Sequence, residues 1–482
     1  MKLPVHRPWR LLLLLSLAVL PGLRASAQQR LKVSDNKRYL VKADGTPFFY
    51  LGDTGWELLH QLGRNDAYTY LSNRAAKGFT VIQTVVLGEM DGLAVPNANG
   101  DLPFTNLDPT KPNEKYFAHV DQVVNLGTSM GLYMALLPTW GAWVMKETHP
   151  IFPPHQAFTP DNARTYGRFL GSRYKNNPNL IWVLGGDRNA TGYEKTWEAL
   201  AAGLREGDGG THLITYHPRG QMSSSAFWQN APWLDFNMIQ SGHGSRQVNS
   251  YDFIAHDYNL QPVKPTFDGE TNYEDHPVSF HPSNGWFSDY DVRVSSYYSV
   301  FAGGFGITYG CHNIWQMNTG KRPIAYARHT WQESLDLPGA YQMRYLRNLV
   351  ESRPFLTRVP DQSLLLPTQT QLVPFEGMGS QHMQATRDGT PGKNDATYVM
   401  VYLPVGRSLN VNTAVIPGKR LRAWWYDPRH GAAIPLGESD NKGQMEAEWN
   451  TLPWHNGAGP DWVMVIDDAS KGYPPPGSKS LF

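Results

Sequence analysis

Between Phe48 and Val350 the sequence alternates between short apolar runs and longer segments with helical spacing. Apolar runs of four to eight residues bounded by Gly or Pro, such as Leu180–Leu184, fit strands buried inside a parallel sheet. The intervening segments, such as Asn65–Lys77, have the spacing of amphipathic helices. Parallel strands need long crossover connections, which are usually helices. Eight such units within about 300 residues predict an α/β fold, a (β/α)8 TIM barrel with insertions.

The helical pattern stops near Ser352, and turn-rich loops then separate short strand-like runs. The predicted strands are Gln362–Leu366, Ala396–Tyr402, Leu421–Tyr426 and Trp462–Ile466. Such runs without helical periodicity are typical of an antiparallel β-sandwich. We therefore predict a catalytic barrel over residues 28–352 and a C-terminal β-sandwich over residues 353–482.

The N-terminal 27 residues have the composition of a signal peptide. Positive residues between Lys2 and Arg10 precede the apolar run Leu11–Leu20, and Ala25–Ala27 forms a small-residue cleavage site. The apolar run is too short to span a bilayer comfortably, and no second one follows. We expect the protein to be exported, to the periplasm or outside the cell, without a membrane anchor and with Gln28 near its mature N-terminus.

The overall composition excludes some classes of partner. The 43 basic and 42 acidic residues nearly cancel, so no charge field favours nucleic acid or an acidic membrane. The 16 Trp and 24 Tyr residues suit carbohydrate binding, although large proteins also bury such rings in their cores. Zinc-site, phosphate-loop and dinucleotide motifs do not occur, so neither a metal nor a cofactor is predicted. The only cysteine, Cys311, lies in a strand-like context that indicates a buried structural thiol.

Two apolar runs each end in a carboxylate: Asn179–Asp187 and Pro262–Glu270. In barrels, the carboxyl ends of the strands carry the catalytic groups. Counting strand–helix units places Asp187 after the fourth strand and Glu270 at the end of the seventh. Two carboxyl groups over one substrate are the apparatus of a glycosidase, in which one donates a proton and the other stays ionised.

Each acid also has an ordinary structural alternative. An Asp after a strand often caps the next helix, and Glu270 could be half of an ion pair. Gly185 and Gly186, however, allow a tight turn and close approach of a ligand. Glu89 and Glu274 are rival acids near other strand ends.

Polar and aromatic residues near the other strand ends are candidates for substrate contact, and ordinary barrel packing is the alternative for most of them. The predicted substrate-binding residues are Asp53, Trp56, Gln83, Trp140, Arg188, Asn189, His217, Gln240, Tyr273 and Trp315. Trp143, His243, Tyr309 and His312 are further groups of this kind.

Four motifs resemble glycoside hydrolase family 140: Tyr50–Trp56, Gly78–Gln83, Leu180–Asp187 and Asp268–Glu270. The resemblance implies a barrel with a C-terminal β-sandwich, and cleavage of apiose linkages in the pectin rhamnogalacturonan II. It also implies, through retaining barrel glycosidases in general, that the strand-four acid is acid/base and the strand-seven acid the nucleophile. These positions correspond to Asp187 and Glu270, with Gly186-Asp187 replacing the commoner Asn-Glu pair. The C-terminal region resembles a module labelled "putative collagen-binding".

The resulting hypothesis is an exported glycoside hydrolase that cleaves apiosyl linkages in pectin, endo-acting and retaining. One alternative is a barrel glycosidase for another plant or host glycan. A second alternative is a carbohydrate-binding protein that keeps the barrel without turnover.

Overall fold

A computed structural model describes most of the chain. The described residues are 28–145, 156–246, 248–321, 323–368, 381–448 and 459–478. The predicted signal peptide lies outside these ranges, so export stays a prediction. None of the helices within them is long and apolar enough to cross a membrane.

The chain begins with a small antiparallel sheet that precedes the barrel. Its strands are β1 (Leu31–Val33), β2 (Leu40–Lys42) and β3 (Pro47–Phe48). A turn through Gly45, whose φ is +89°, joins β2 to β3, and such a φ favours glycine.

Eight parallel strands then form the barrel, and one short antiparallel strand extends its sheet. They are β4 (Tyr50–Thr54), β5 (Val81–Val85), β6 (Tyr133–Leu137), β7 (Leu180–Gly185), β8 (Leu213–His217), the short β9 (Met222–Ser223), β10 (Asn237–Gln240), β11 (Thr266–Glu270) and β12 (Gly306–Tyr309). The sheet order runs β8-β7-β6-β5-β4-β12-β11-β10-β9. The (β/α)8 architecture predicted from the alternating pattern is therefore confirmed.

Hydrogen bonds join the two ends of the barrel sheet, β8 and β10. The backbone N–H of Asp235 donates to the carbonyl of Ile214 at 2.9 Å, and Oγ1 of Thr215 donates to the carbonyl of Phe236 at 2.7 Å. Aromatic rings fill the interior at one end, where Phe267 lies 4.6 Å from Tyr50 between ring centroids. Barrel interiors are packed cores, so the open space lies at the mouth.

Helices surround the barrel and occupy the connections between its strands. They are α1 (Leu58–Gln61), α2 (Arg64–Ala76), α3 (Glu114–Ser129), α4 (Pro160–Tyr174), α5 (Glu194–Asp208), α6 (Ser225–Trp228), α7 (Ser250–Tyr258), α8 (Asp289–Phe301), α9 (His312–Trp315) and α10 (Pro338–Glu351). Local sequence explains their ends. At the start of α4, for example, Thr159 and Asn162 satisfy each other's backbone N–H groups in a capping box.

The C-terminal region consists of two antiparallel sheets around their own apolar core. The strands are β13 (Val359–Pro360), β14 (Gln384–Arg387), β15 (Tyr398–Leu403), β16 (Leu409–Asn412), β17 (Arg420–Asp427), β18 (Ala432–Asp440), β19 (Gln444–Ala447) and β20 (Trp462–Asp468). The predicted strand Gln362–Leu366 is wrong, because Gln362–Leu364 forms a 3₁₀ turn. Asp361 accepts hydrogen bonds from the N–H and hydroxyl of Ser363, and such local bonds compete with a strand.

Helix α8 joins the barrel to the sandwich and is buried from Tyr290 to Phe301. Its Arg293 makes a two-pronged ion pair with Asp461 of the sandwich, at 2.9 and 2.8 Å. The ring of Tyr297 stacks on Tyr402 with centroids 4.7 Å apart. Because α8 follows β11, the sandwich supports the part of the barrel that carries Glu270.

Candidate active site

A cavity of about 720 Å³ opens at the carboxyl ends of the barrel strands. The segments after all eight parallel strands contribute to its walls. In chain order they supply Trp56, Glu89, Trp140, Asp187 to Asn189, Arg219 to Gln221, Gln240 to Gly244, Glu270 to Phe280, and His312 to Ala325, with only some residues of the longer ranges exposed to the cavity. This volume is within the range of cavities that bind small molecules.

A turn of three residues with positive φ brings Asp187 into the cavity. The φ angles are 86° for Gly185, 106° for Gly186 and 55° for Asp187. A Cβ on Gly185 would lie 2.2 Å from the carbonyl oxygen of His217, and one on Gly186 would lie 2.8 Å from the backbone nitrogen of Gly141. Both glycines are therefore required by close backbone packing. An Asp in the left-handed region is strained, which is common at functional sites.

The carboxyl group of Asp187 is placed to hold a proton. Crowding by the cavity walls and the nearby charge of Glu270 raise the pKa of Asp187 to about 6, although 37% of the side chain is exposed to the cavity. Arg188 opposes this effect, with its Nη1 3.5 Å from Oδ2 of Asp187. At mildly acidic pH, Asp187 can therefore act as a proton donor.

Glu270 has the opposite electrostatic environment. Its Oε1 accepts a hydrogen bond from Nε2 of His243 at 2.9 Å, and its Oε2 lies 2.9 Å from Nε2 of His217. Burial alone would raise the pKa of Glu270, but the two imidazoles outweigh that effect and lower it to about 2. Glu270 is thus ionised where Asp187 still holds its proton, which separates the two carboxyl groups by role.

His217 supports this pair from behind and does not line the cavity. Its Nδ1 accepts the backbone N–H of Asp187 at 3.2 Å. Because a backbone N–H can only donate, the proton of the neutral ring sits on Nε2, which faces Glu270. The contact with Oε2 lacks full hydrogen-bond geometry, so it acts mainly as an electrostatic contact. The prediction that His217 binds substrate is corrected, since the side chain is fully buried.

Tyr273 lies beside Glu270 in the cavity wall. Burial and the charge of Glu270 raise the pKa of the Tyr273 phenol, so it keeps its proton and can donate a hydrogen bond. Gly310 makes room for the ring, since a Cβ there would lie 2.0 Å from a ring carbon of Tyr273.

Aromatic side chains form the apolar part of the cavity wall. Trp56 and Trp140 lie with ring centroids 5.7 Å apart, and Trp315 and the half-exposed Phe280 complete the set. Flat rings of this kind can cover the C–H faces of sugars. Of the predicted contacts, Trp56, Trp140, Arg188, Asn189, Gln240, Tyr273 and Trp315 all line the cavity.

Two other predicted substrate contacts lie elsewhere, and the structure corrects them. Asp53 is fully buried and pairs with Arg74 at 2.7 Å. Gln83 is also fully buried, where its Nε2 donates to the carbonyl of Gly269 at 2.9 Å and its Oε1 accepts from Tyr50 and Thr308. The Gln83 side chain points into the packed barrel, whereas the Asp53 side chain points outward to α2, which carries Arg74; neighbouring residues on a strand alternate between the two faces.

The rival acids Glu274 and Glu89 also differ in whether they reach the cavity. Glu274 is buried outside the cavity, where it accepts hydrogen bonds from Tyr309 at 2.6 Å and from the N–H of Gly339. Burial raises the pKa of Glu274 to about 7. Glu89, by contrast, lines the cavity.

Some cavity residues were not predicted as substrate contacts. Arg219, Gln221, His276 and Phe280 line the wall, and nothing in their local sequence separates them from ordinary loop residues. The sequence predicts His243 only as a strand-end group, because its contact with Glu270 forms only when the barrel closes.

Cys311 is buried as predicted, and burial raises the pKa of its thiol to about 12. Among the described residues, no group of three His, Cys, Asp or Glu side chains could hold a metal ion.

A (β/α)8 barrel whose mouth holds two carboxyl groups in one aromatic cavity, one with a raised and one with a lowered pKa, is the arrangement of a glycoside hydrolase. Residues 34–357 match the family model described as "Apiosidase-like, catalytic domain", so the chain belongs to that family. Residues 359–467 match the model described as "Putative collagen-binding domain of a collagenase".

Two solved structures are similar over nearly the whole chain. One is described as a glycoside hydrolase and is 35% identical, with a TM-score of 0.82, over 92% of this chain and 98% of that chain. Another, from Bacteroides vulgatus ATCC 8482 and described as a glycoside hydrolase of family 5, is 32% identical, with a TM-score of 0.82, over 94% of this chain and 96% of that chain. A search of curated proteins found no match.

Proposed function

We propose that the protein cleaves apiosyl glycosidic linkages in pectin, within rhamnogalacturonan II, as an endo-acting and retaining hydrolase. The observation that carries the chemistry is the placement of Asp187 and Glu270 in one cavity, where the surroundings raise the pKa of Asp187 and lower that of Glu270. The match to the apiosidase-like catalytic domain supports the sugar. The predicted signal peptide supports export to the periplasm or beyond, where such polysaccharides are met.

In the proposed first step, the carboxylic acid of Asp187 donates its proton to the glycosidic oxygen as the bond to the anomeric carbon breaks. The carboxylate of Glu270 attacks that carbon and forms a glycosyl ester. In the second step, the Asp187 carboxylate takes a proton from water, and the resulting hydroxide equivalent displaces Glu270. This two-step course retains the anomeric configuration.

The cavity has groups suited to both parts of a sugar. The partly exposed rings of Trp315 and Phe280 offer apolar faces, while Arg188 and Gln240 offer polar atoms for hydroxyl groups. A glycosidase for another plant or host glycan would use the same acid pair, so substrate choice is the first thing to test.

The test uses purified mature protein and rhamnogalacturonan II oligosaccharides with and without apiosyl residues, alongside unrelated glycans. We expect cleavage only where apiose is present, with oligosaccharide products rather than free apiose. Mass spectrometry of the products checks both points. NMR of the first anomer released checks retention. Cleavage of unrelated glycans, with apiosyl chains left intact, would refute the proposed substrate.

The acid pair is tested on whichever glycan is cleaved. Asp187→Asn and Glu270→Gln should each lower turnover by at least about 10³-fold. Glu438→Gln makes the same change as Glu270→Gln in an exposed residue of the sandwich, and we expect wild-type turnover from it. Near-wild-type turnover in either acid variant would exclude the two-carboxylate mechanism.

A further inference from the structure

The cavity contains a third carboxyl group, Glu89, which the two-carboxylate mechanism does not use. It follows β5, whereas Asp187 follows β7, so the two acids come from different parts of the barrel mouth. The side chain is partly exposed.

The segment that carries Glu89 is held in place from several sides. The indole N–H of Trp143 donates to the carbonyls of Leu87 and Gly88, at 3.2 and 3.0 Å. On the other side, the N–H of Met90 donates to Oε1 of the buried Glu57 at 2.9 Å. A segment fixed at Leu87, Gly88 and Met90 holds the residue between them in a constant position.

The buried Glu57 is itself anchored. Nδ1 of His60 lies 2.8 Å from its Oε2, and both side chains are fully buried. Gly88 packs directly against this carboxylate, since a Cβ there would lie 2.7 Å from Oε2 of Glu57. The Glu89 segment therefore rests on a rigid ion pair, and a Cβ on Gly88 would disturb it.

Backbone hydrogen bonds also connect this segment to the one that carries Asp187. The N–H of Trp140 donates to the carbonyl of Leu87 at 3.2 Å, and the N–H of Gly141 donates to the carbonyl of Gly186 at 3.2 Å. Trp140 and Gly141 thus connect Leu87, in the Glu89 segment, to Gly186, which directly precedes Asp187. The backbone segments that carry Glu89 and Asp187 are therefore connected through Trp140 and Gly141, and both residues line the same cavity.

We propose that Glu89 is a positioning residue of the active site, whose negative charge keeps the proton on Asp187 without itself donating one. The proposal rests on the assignment of Asp187 as the acid. The charged and titratable groups that act on Asp187 are Glu270 from β11, His217 from β8, the adjacent Arg188, and Glu89. Glu270 and Glu89 repel the second negative charge, while Arg188 and His217 favour it.

The proposal predicts how the proton on Asp187 responds to Glu89. Replacing Glu89 by Gln removes one repelling charge, so Asp187 should lose its proton at a pH about 0.5 to 1 unit lower. Glu89→Asp keeps the charge and should leave the midpoint within about 0.2 unit of the wild type. Glu438→Gln controls for the change in net charge and should have no effect.

The midpoint is measured by NMR of protein labelled with ¹³C at aspartate carboxyl groups, with Asp187→Asn to identify the signal. This readout needs no substrate, so it decides the proposal even if the protein does not cleave apiosyl chains. If it does cleave them, the upper limb of the pH profile should move to lower pH by the same amount in Glu89→Gln.

Two results would overturn the proposal. One is an unchanged Asp187 midpoint in Glu89→Gln, or, if that variant does not fold, in Glu89→Ala. The other is a loss of turnover of more than about 10³-fold in Glu89→Gln, together with an active Asp187→Asn. That second pattern would make Glu89 the proton donor and would refute the assignment of Asp187 as well.

Discussion

Nε2 of His217 lies 2.9 Å from Oε2 of Glu270, and the protein backbone determines which ring nitrogen carries the proton. The N–H of Asp187 occupies Nδ1 of the same ring, which leaves the proton on the nitrogen facing Glu270. One imidazole therefore links the residues that carry the two acids. A change at His217 should alter the state of Glu270 without removing any contact to substrate.

We expect His217→Asn to lower kcat by about tenfold to a hundredfold, because small displacements of a reacting group have effects of this size. An Asn oxygen can still accept the N–H of Asp187, but the contact to Glu270 is lost. With less stabilisation of its carboxylate, Glu270 should have a higher pKa. The midpoint of the acidic limb of the pH profile should therefore move to higher pH.

Kinetics at a series of pH values checks the His217 prediction. His212→Asn is the matched control, because His212 is a buried imidazole that pairs with Asp208 at 2.9 Å away from the cavity. An equal shift of the lower limb in both variants would contradict the positioning role.

The wild-type pH profile should follow the two acids. Activity requires Asp187 protonated and Glu270 ionised, so kcat/KM should fall as pH rises through about 6, the raised pKa of Asp187. The lowered pKa of Glu270 places the acidic limb far below that. Initial rates from about pH 3 to about pH 9 measure the upper limb, and wild-type activity should persist down to about pH 3. An upper limb near the ordinary Asp value, about 4, would show that Asp187 is not the acid.

Gly310→Ala should displace Tyr273 from the cavity wall, because the added Cβ would lie 2.0 Å from a carbon of the ring. We expect turnover to fall by at least about tenfold while the protein still folds. Gly63→Ala is a suitable control, since a Cβ there meets nothing within 4 Å. Circular dichroism checks folding, and equal activity in the two variants would exclude a role for the position of Tyr273.

The ion pair between Arg293 and Asp461 should matter to the stability of the whole chain, because both side chains are fully buried. Arg293→Met leaves the Asp461 charge buried without this partner, which should cost about 3 to 5 kcal/mol in the free energy of unfolding. Arg293→Met with Asp461→Leu should recover most of that loss.

Urea unfolding followed by tryptophan fluorescence measures the stability effect. Arg422→Met is the control, because its pair with Glu438 is about one-third exposed on both sides and, as a surface ion pair, should contribute much less than the buried pair. A loss no larger in Arg293→Met than in Arg422→Met would mean that the barrel and sandwich are not coupled through this pair.

Much of the architecture could be predicted from local sequence. The apolar runs that predicted Leu180–Leu184 and Trp462–Ile466 as strands correspond to β7 and β20, because burial on both faces leaves a continuous apolar signal. The prediction of a strand at Gln362–Leu366 was wrong, because the side chain of Asp361 accepts the N–H of Ser363 and redirects the backbone. Local bonds of this kind are decided by one or two residues and carry no periodicity.

The candidate site was predictable only in part, as Trp56 and Asp53 show. Both lie near the end of the first barrel strand, yet Trp56 lines the cavity and Asp53 pairs with Arg74 of the surrounding helix α2. Which side chain faces the cavity depends on strand tilt and on the turn that follows, and the type of residue predicts neither.

The sequence by itself determined the alternation of strands and helices, and with it the barrel and the strand ends at Asp187 and Glu270, because periodicity and turn residues act over short distances. Only the tertiary structure decided the states of those acids. His217 and His243 reach Glu270 from other strands, and the cavity walls crowd Asp187. Protonation depends on neighbours distant in the chain, so it emerges only when the barrel closes.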